Sequence, residues 1–472
     1  MIRFLIQKEL RDTIGSTKFS VTFGVCAILI LLAFFIGAKN YQTSLAQYDA
    51  AKAQNLRQLE GLTDWYSVRD FRVYLPPQPL AALVSGIAND IGRTTEIHGR
   101  GDLQPYDSRY GNEPMYAVFR FLDLEFVFTL ILSLFAIVFA YDAISGEKER
   151  GTLRLTFSNA LPRSQFIVGQ LLGSYLALAV PLMIPLAVGC LLLPMLDVYL
   201  SGEEWIRLVL VILAGLLYIG VFVSLSICVS TLTHKSANAF LALLALWIAA
   251  VVIVPRSSIL LSARTIEVPS LAEIQFKKGR LASQLWREDR DKISAFKPAS
   301  SQPEQMGQEF QKFMQELSDR RDAKLKQLSD RLNEERANAQ REQQRVALSF
   351  ARISPASVFS LAASHIAGTS MPLQDQYKAS VLAYQQEYGK FMFEKTGVNM
   401  GSGVMFFVNR VVDGHEERKK EIDPHELPIF SFSTPTLSAV FRDTLIDLGL
   451  LCLVNMLAFA GAFGAFLRYD IR

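Results

Sequence analysis

Charge along this chain is bunched, and the gaps between the bunches predict its elements. A bilayer's hydrocarbon core is crossed by about 20 consecutive apolar residues in helical form. Six stretches meet or approach that length: 19–38, 121–141, 166–193, 205–232, 236–254 and 445–467. The first is uncharged between Lys18 and Lys39; the fourth carries only Arg207 and the last only Asp447, each near one end. The second reaches full length if Asp123 and Glu125 sit at the water interface. The pattern predicts an all-α membrane protein with six transmembrane helices and two polar insertions, 39–120 and 255–444.

The first apolar run is longer than that of a cleaved signal peptide, and no small-residue cleavage pattern follows it, so a retained anchor is expected. Pro181 and Pro185 inside the third span remove backbone donors and predict a bend there. Lys and Arg set the orientation. Segments 1–18, 142–165, 233–235 and 468–472 together carry eleven basic residues. The short loop 194–204 on the opposite side has none, but holds Asp197, Glu203 and Glu204. By the positive-inside rule both termini are cytoplasmic and both insertions extracytoplasmic.

The first insertion opens with an amphipathic, helix-prone stretch, Tyr41–Leu59. Leu75-Pro76-Pro77-Gln78-Pro79-Leu80 then breaks any helix, and irregular structure is expected within 86–115. The second is more charged: residues 271–350 hold 16 Lys/Arg and 13 Asp/Glu. From Pro303 to Arg352 good helix formers dominate, and Phe310, Phe313, Leu317, Leu325, Leu328 and Leu332 recur at helical spacing. A continuous helix there would reach about 75 Å at 1.5 Å per residue. It reads either as a solvated helix of a hairpin or as an arm that binds a partner. Ala356–Gly368 and Pro428–Val440 are apolar but too short to span, and read as re-entrant or interfacial helices.

Composition narrows the function by exclusion. Across 472 residues the formal charge is +3 and the mean hydropathy +0.23, which argues against nucleic-acid binding and for membrane segments diluted by polar ones. The four cysteines lie in apolar runs without metal-type spacing. There is no phosphate-cradling G-x-x-x-x-G-K-[ST], no H-E-x-x-H and no G-x-S-x-G, so no catalytic residue or metal site is assigned. His415-Glu416-Glu417 and His425-Glu426, beside Lys419 and Lys420, read as a solvated charged loop. Asp123, Glu125 and Asp447 near span ends are either structurally paired, with Arg120 three residues before Asp123, or substrate-path or interface acids.

One loop carries a sharper signal. Between the second and third spans, Gly146 and Gly151 flank the charged run Glu147-Lys148-Glu149-Arg150, and Thr152 is the expected N-cap of a short helix that Pro162 stops. That helix would present Leu153 and Phe157 together, as a short helix docking into a groove of a soluble partner would.

Glu147 to Leu153 (Glu-x-Glu-x-Gly-Thr-Leu), the Gly169-Gln170-Leu171-Leu172-Gly173 start of the third span, Ile6–Arg11 and Phe466–Asp470 resemble the ABC-2-type permease family. These are the membrane subunits of ATP-binding-cassette exporters. Phe466–Asp470 also resembles a subgroup with enlarged external regions, similar to permeases encoded with gliding-motility and copper-enzyme-maturation transporters. The resemblance covers 1–38, 120–255 and 440–472. The insertion between spans five and six is far larger than the family's usual pair of short re-entrant helices.

The resemblance implies that Glu147, Lys148, Glu149, Arg150, Gly151, Thr152, Leu153, Arg154 and Phe157 form the element coupled to the ATPase. It implies that Lys8, Glu9 and Arg11 belong to an elbow helix on the inner leaflet. ATP and Mg would be bound by two copies of a separate ATPase subunit, with no cofactor in this chain and a second permease copy or relative alongside. The setting implied is a bacterial inner membrane. Two other readings share the topology: a mechanotransmission complex whose external arm acts on an envelope partner, and a sensor or scaffold without ATP linkage.

Overall fold

The computed structural model describes residues 2–63, 65, 68, 71–88, 92–97, 105–106, 123–158, 162–298, 302–396 and 422–469. Among the described residues six helical runs are long and apolar enough to cross a membrane: Thr17–Arg57, Leu124–Glu149, Arg163–Met195, Gly202–Leu232, Ser236–Thr265 and Leu437–Arg468. The chain is therefore a helical membrane protein.

Helix α1 (Ile2–Ile14) precedes the first span and is separated from it by Gly15-Ser16. The Ser16 hydroxyl accepts the amide of Phe19 at 3.1 Å and so starts α2 (Thr17–Arg57). With no Gly or Pro between residues 38 and 57, the span and the amphipathic stretch after it form one helix of 41 residues. At 1.5 Å per residue it is about 60 Å long, twice the bilayer core. Val21, Val25, Ile28, Leu32 and Phe35 make an exposed apolar stripe along it, while Cys26, Ile30, Ala33 and Phe34 are buried. A helix apolar on both faces suits lipid on one side and protein on the other.

The second span is α3 (Leu124–Phe126), a π-helical turn Val127–Leu132 and α4 (Ser133–Ala140). Two short helices follow, α5 (Ser145–Glu149) and α6 (Thr152–Ser158), and then α7 (Arg163–Met195), which carries Pro181, Pro185 and Pro194 within it. Helix α8 (Gly202–Leu232) opens on a capping box between Ser201 and Glu204. Helix α9 (Ser236–Trp247) runs through a π-helical turn into α10 (Val254–Thr265). The bundle packs by sinking aromatics against glycines. A Cβ on Gly189 would lie 2.4 Å from the Phe34 ring, and one on Gly215 would lie 2.5 Å from the Phe128 ring.

Beyond the spans, α11 (Leu271–Ala295) and α12 (Pro303–Ala351) pack side by side. The Arg321 guanidinium sits 3.9 Å over the Trp286 ring and 3.1 Å from Asp289, and Phe296 stacks on Phe313 at 4.7 Å. The 49 residues of α12 are thus one long helix lying against a partner helix of its own chain.

A second core joins parts of both insertions. Strands β1 (Arg72–Tyr74), β2 (Thr94–Glu96) and β3 (Pro105–Tyr106) form a small antiparallel sheet, with Val73 opposite Thr95. Helix α14 (Pro372–Thr396) packs Tyr377, Tyr384, Tyr388 and Met392 against Phe71, Val73 and Leu427. The Tyr388 and Phe71 rings stack at 5.5 Å.

Two short apolar segments behave differently from each other. Helix α13 (Pro355–Ala367) is almost wholly buried against α8 and α15 (Leu437–Arg468), so it is an internal element of the bundle. The expected helix over Pro428–Val440 does not form as a unit: residues 428–436 are non-helical, and 437–440 are the first turn of α15. Pro428 and Pro435 lack amide donors and disfavour helix in the residue before them.

Candidate functional site

The turn between the second and third spans is where sequence reading concentrated its residues, and its geometry is built from α5, Gly151 and α6. Gly151 takes φ +73°, the left-handed conformation that ends α5 and lets α6 restart at once. Thr152 is the first residue of α6, and its hydroxyl donates to the Glu147 carbonyl at 3.3 Å.

Three successive side chains of α5 reach three different helices. Glu147 accepts from Lys8 Nζ of α1 at 2.8 Å. Lys148 donates to the carbonyls of Thr231 and Thr233 at the C-terminal end of α8, the latter at 3.1 Å. There a cation complements carbonyls left without intrahelical partners. Glu149 accepts the amide of Ser236 at 3.1 Å, at the N-terminus of α9, where an anion meets free backbone donors. Just upstream, the amides of Ile144 and Ser145 donate to Ser230 Oγ at 3.1 and 2.9 Å, and Gln170 of α7 donates to the Ala143 carbonyl at 3.1 Å. Arg150 folds back, donating from Nε to the Gly146 carbonyl at 3.2 Å.

Helix α6 faces the opposite way from the expectation. Leu153 is buried, and Phe157 packs on Phe166 at 5.3 Å and on Phe466 at 5.8 Å. These two side chains pin α6 to α7 and α15. The i, i+4 spacing shows that they share a face, but not that the face points outward. The outward face carries Thr152, Arg154, Leu155 and Ser158, with Leu155 70% exposed.

The elbow residues belong to the same assembly. Helix α1 lies on α7 across Gly169 and Gly173, where added Cβ atoms would come within 2.9 Å of Leu5 Cβ and 2.7 Å of Glu9 Cβ. The contact is close because both positions lack side chains. Burial there pushes the Glu9 carboxyl up to about 6, against the lowering effect of its hydrogen bond with Gln170. For Lys8, burial works against the charge, but the hydrogen bond and charge of Glu147 outweigh it and leave the ammonium above its ordinary value. Arg11 stands exposed in the last turn of α1. The chain's other end joins in: Arg163 donates to the carbonyls of Leu467 and Tyr469 at 2.7 and 3.2 Å. So α1, the 145–158 turn, residues 233–236 and residues 467–469 gather at one end of the bundle.

The three acids lie at the other end: Asp123 and Glu125 are near enough to interact, and each of the three has its own hydrogen-bond partner. Asp123 caps α3, accepting from the Phe126 amide at 2.9 Å and from the Ser85 amide at 2.9 Å. Arg120, its suggested partner, lies outside the described residues. Glu125 is buried and accepts from the Ser360 hydroxyl of α13. Asp447, fully buried, is 2.8 Å from Arg352 Nε and 3.7 Å from His365 Nδ1. Arg352, Ser360 and His365 were not singled out by sequence reading. They lie 95, 235 and 82 positions from the acids they meet, and no local spacing announces such pairs.

Among the described residues no group of three or more His, Cys, Asp or Glu is arranged to hold a metal ion. His425 and Glu426 sit in a short 3-10 turn in which Glu426 pairs with Lys395 at 2.5 Å. His415, Glu416 and Glu417 lie outside the described residues.

Comparison with known proteins adds two findings. Residues 3–408 match the family described as ABC-2 family transporter protein. The "Probable ABC transporter permease protein NosY" of Pseudomonas aeruginosa is 45% identical over 56 residues, 12% of this chain and 20% of that protein. The chain thus spans about a fifth of the length of the curated relative it matches.

Proposed function

The chain belongs to the ABC-2 family of transporter proteins, and from that premise we propose that it is the permease subunit of an ATP-driven exporter. Its turn over 145–158 receives motion from a separate ATP-hydrolysing subunit. The observation that carries this reading is the fan of contacts from Glu147, Lys148 and Glu149 to α1, α8 and α9. A push on the exposed side of α5 and α6 is delivered at once to the elbow helix and to the adjoining ends of two spans. Packed elements with few alternative arrangements transmit such displacements better than loose loops do.

In this reading the 145–158 end faces the cytoplasm of a bacterial inner membrane, as the basic residues gathered there favour. ATP and Mg stay on the partner, present in two copies, and a second permease copy or a related permease completes the pair. The test replaces Glu149 by Gln and Gly151 by Ala together. The first change removes the anion at the α9 N-terminus, and the second disfavours the left-handed residue between α5 and α6. The expected result is normal membrane insertion with loss of ATP-dependent transport or of ATPase association. Undiminished coupling in that variant overturns the assignment.

A second reading is favoured by one specific observation. Arg352, which follows directly on α12, is paired to Asp447 inside span six, so the long helix is tied to a membrane helix by a buried charge. The same chain then works as a mechanotransmission unit that moves α11 and α12 against an envelope protein. Substrate-free reconstituted complexes distinguish the two. Arm-dependent stimulation of ATP hydrolysis without accumulation of any labelled cargo selects the second.

A further inference from the structure

At the end of the bundle away from the 145–158 turn, a small open cleft lies between α8, α13 and both insertions. Gln78, Ser201, Glu203, Arg207, Ala367 and Thr434 are among the residues lining it. Arg207 is the unusual member. It is 4% exposed, one turn inside a membrane span, and its guanidinium is incompletely used. Nη2 donates to the Pro435 carbonyl, Nε has no partner, and the nearest carboxylate, Glu203, is 4.0 Å away. A buried guanidinium is costly unless its charge is met, and Glu203 at 4.0 Å meets it only loosely, so this cation lining an open cleft marks a place for an anion.

The surroundings are arranged for that cation. Gly368 ends α13 at φ +73°, and a Cβ there would lie 3.3 Å from Arg207 Nη1, so the glycine leaves room for the guanidinium. The Glu203 side chain is 65% exposed and points its charge at the same cleft, one helical turn from Arg207. Glu204, its neighbour, is occupied in the capping box with Ser201. The cleft therefore presents one buried cation and one open anion close together.

We infer that this cleft binds a zwitterionic group, its anion on Arg207 and its ammonium on Glu203. Phosphoethanolamine chemistry fits. An anion alone would be repelled by Glu203, and a cation alone would leave Arg207 unmet. The position of Arg207 near the end of a span, flanked by exposed Ile206 and Val209, is the depth at which lipid headgroups lie. This inference rests on α8 crossing the membrane but not on the coupling role of α5 and α6, so either can fail without the other.

The test uses the full-length protein, purified and stripped of lipid, and follows its thermal transition. It is titrated with dihexanoyl phosphatidylethanolamine, with dihexanoyl phosphatidylglycerol and with free phosphoethanolamine. The ethanolamine lipid is expected to stabilise saturably, and the glycerol lipid about tenfold more weakly, for want of the ammonium that a charge-assisted bond to Glu203 needs. Saturation by free phosphoethanolamine at a similar concentration identifies a soluble ligand, and saturation by the lipid alone a membrane one; both uphold the site. Glu203→Gln should erase the preference between the two lipids, and Arg207→Gln the binding itself. If Arg207→Gln does not fold, Glu203→Gln decides. Absence of saturable binding, equal response to the two lipids, or an unchanged preference in Glu203→Gln overturns the inference.

Discussion

Lys8 Nζ lies 2.8 Å from Glu147 Oε1, and the two partners are unequally placed: the lysine side chain is 51% exposed, the glutamate 10%. Glu147 Oε2 has no partner at all. A half-solvated pair contributes little by attraction, about 1 kcal/mol or less. Stranding a buried carboxylate costs more, about 1–3 kcal/mol. Lys8→Met should therefore destabilise the protein more than Glu147→Gln does, and the double variant should lose less than the two singles combined. Thermal melts of the four proteins check this; equal effects from the two singles would remove the argument.

The approach of α1 to α7 depends on two missing side chains. Gly173→Val places atoms where Glu9 Cβ now stands 2.7 Å from the site of a Cβ, and Gly169→Val does the same against Leu5. Overpacking of this kind costs about 1–3 kcal/mol, and here it should lift α1 away and loosen its backbone, so that the peptide bonds after Lys8 and Arg11 are cut faster by trypsin. Gly24 is the control, since nothing lies within 4 Å of a Cβ there. Gly24→Ala should be neutral or slightly stabilising by helix propensity. Limited proteolysis with a melting curve reads both effects.

What sequence could show in this protein follows the range of each interaction. Apolar runs, prolines, caps and the Gly169-x-x-x-Gly173 pair act over a few residues, so the helical membrane class and the long helix from Pro303 were legible. The side on which Leu153 and Phe157 lie was not. An i, i+4 pair gives a face, and only the placement of Phe166 and Phe466 says that this face is inward. The partners of Glu125 and Asp447 were hidden for the same reason. They come from α13 and the residue after α12, brought back to the bundle by an insertion whose path no local pattern encodes. Pro428–Val440 misled through composition: its apolar residues suggested a helix that its own prolines prevent.

Acidity should act on α1 through Glu9. Its carboxyl, 4.5 in ordinary surroundings, is pushed up to about 6 by burial against α7. A raised value means that the folded state holds the proton more tightly than the unfolded chain does. The associated stability is complete below pH 4.5 and is lost as pH rises through 6. Glu9→Gln abolishes that loss. The variant should match the parent near pH 4.5 and exceed it above pH 6 by at most about 2 kcal/mol, one unit being worth 1.36 kcal/mol. Melting curves from pH 4.5 to 7.5 test it, and a difference that is flat with pH would assign the buried carboxylate no such role.

The tie between the long helix α12 and span six has a measurable consequence. Asp447 is fully buried, and Arg352 supplies the hydrogen bond that keeps its charge tolerable. Breaking a buried pair from the arginine side costs about 3–5 kcal/mol, and here the buried carboxylate would keep only His365, 3.7 Å away. Arg352→Gln should therefore lower the melting temperature sharply. Asp447→Asn should cost less, since Arg352 is 31% exposed and can turn to solvent. Combining the two should recover much of the loss. The double variant also separates structure from transmission: a protein that folds normally without the tie should lose any dependence of ATP hydrolysis on α11 and α12. Retention of that dependence would mean that the arm is linked to the membrane helices by some other route.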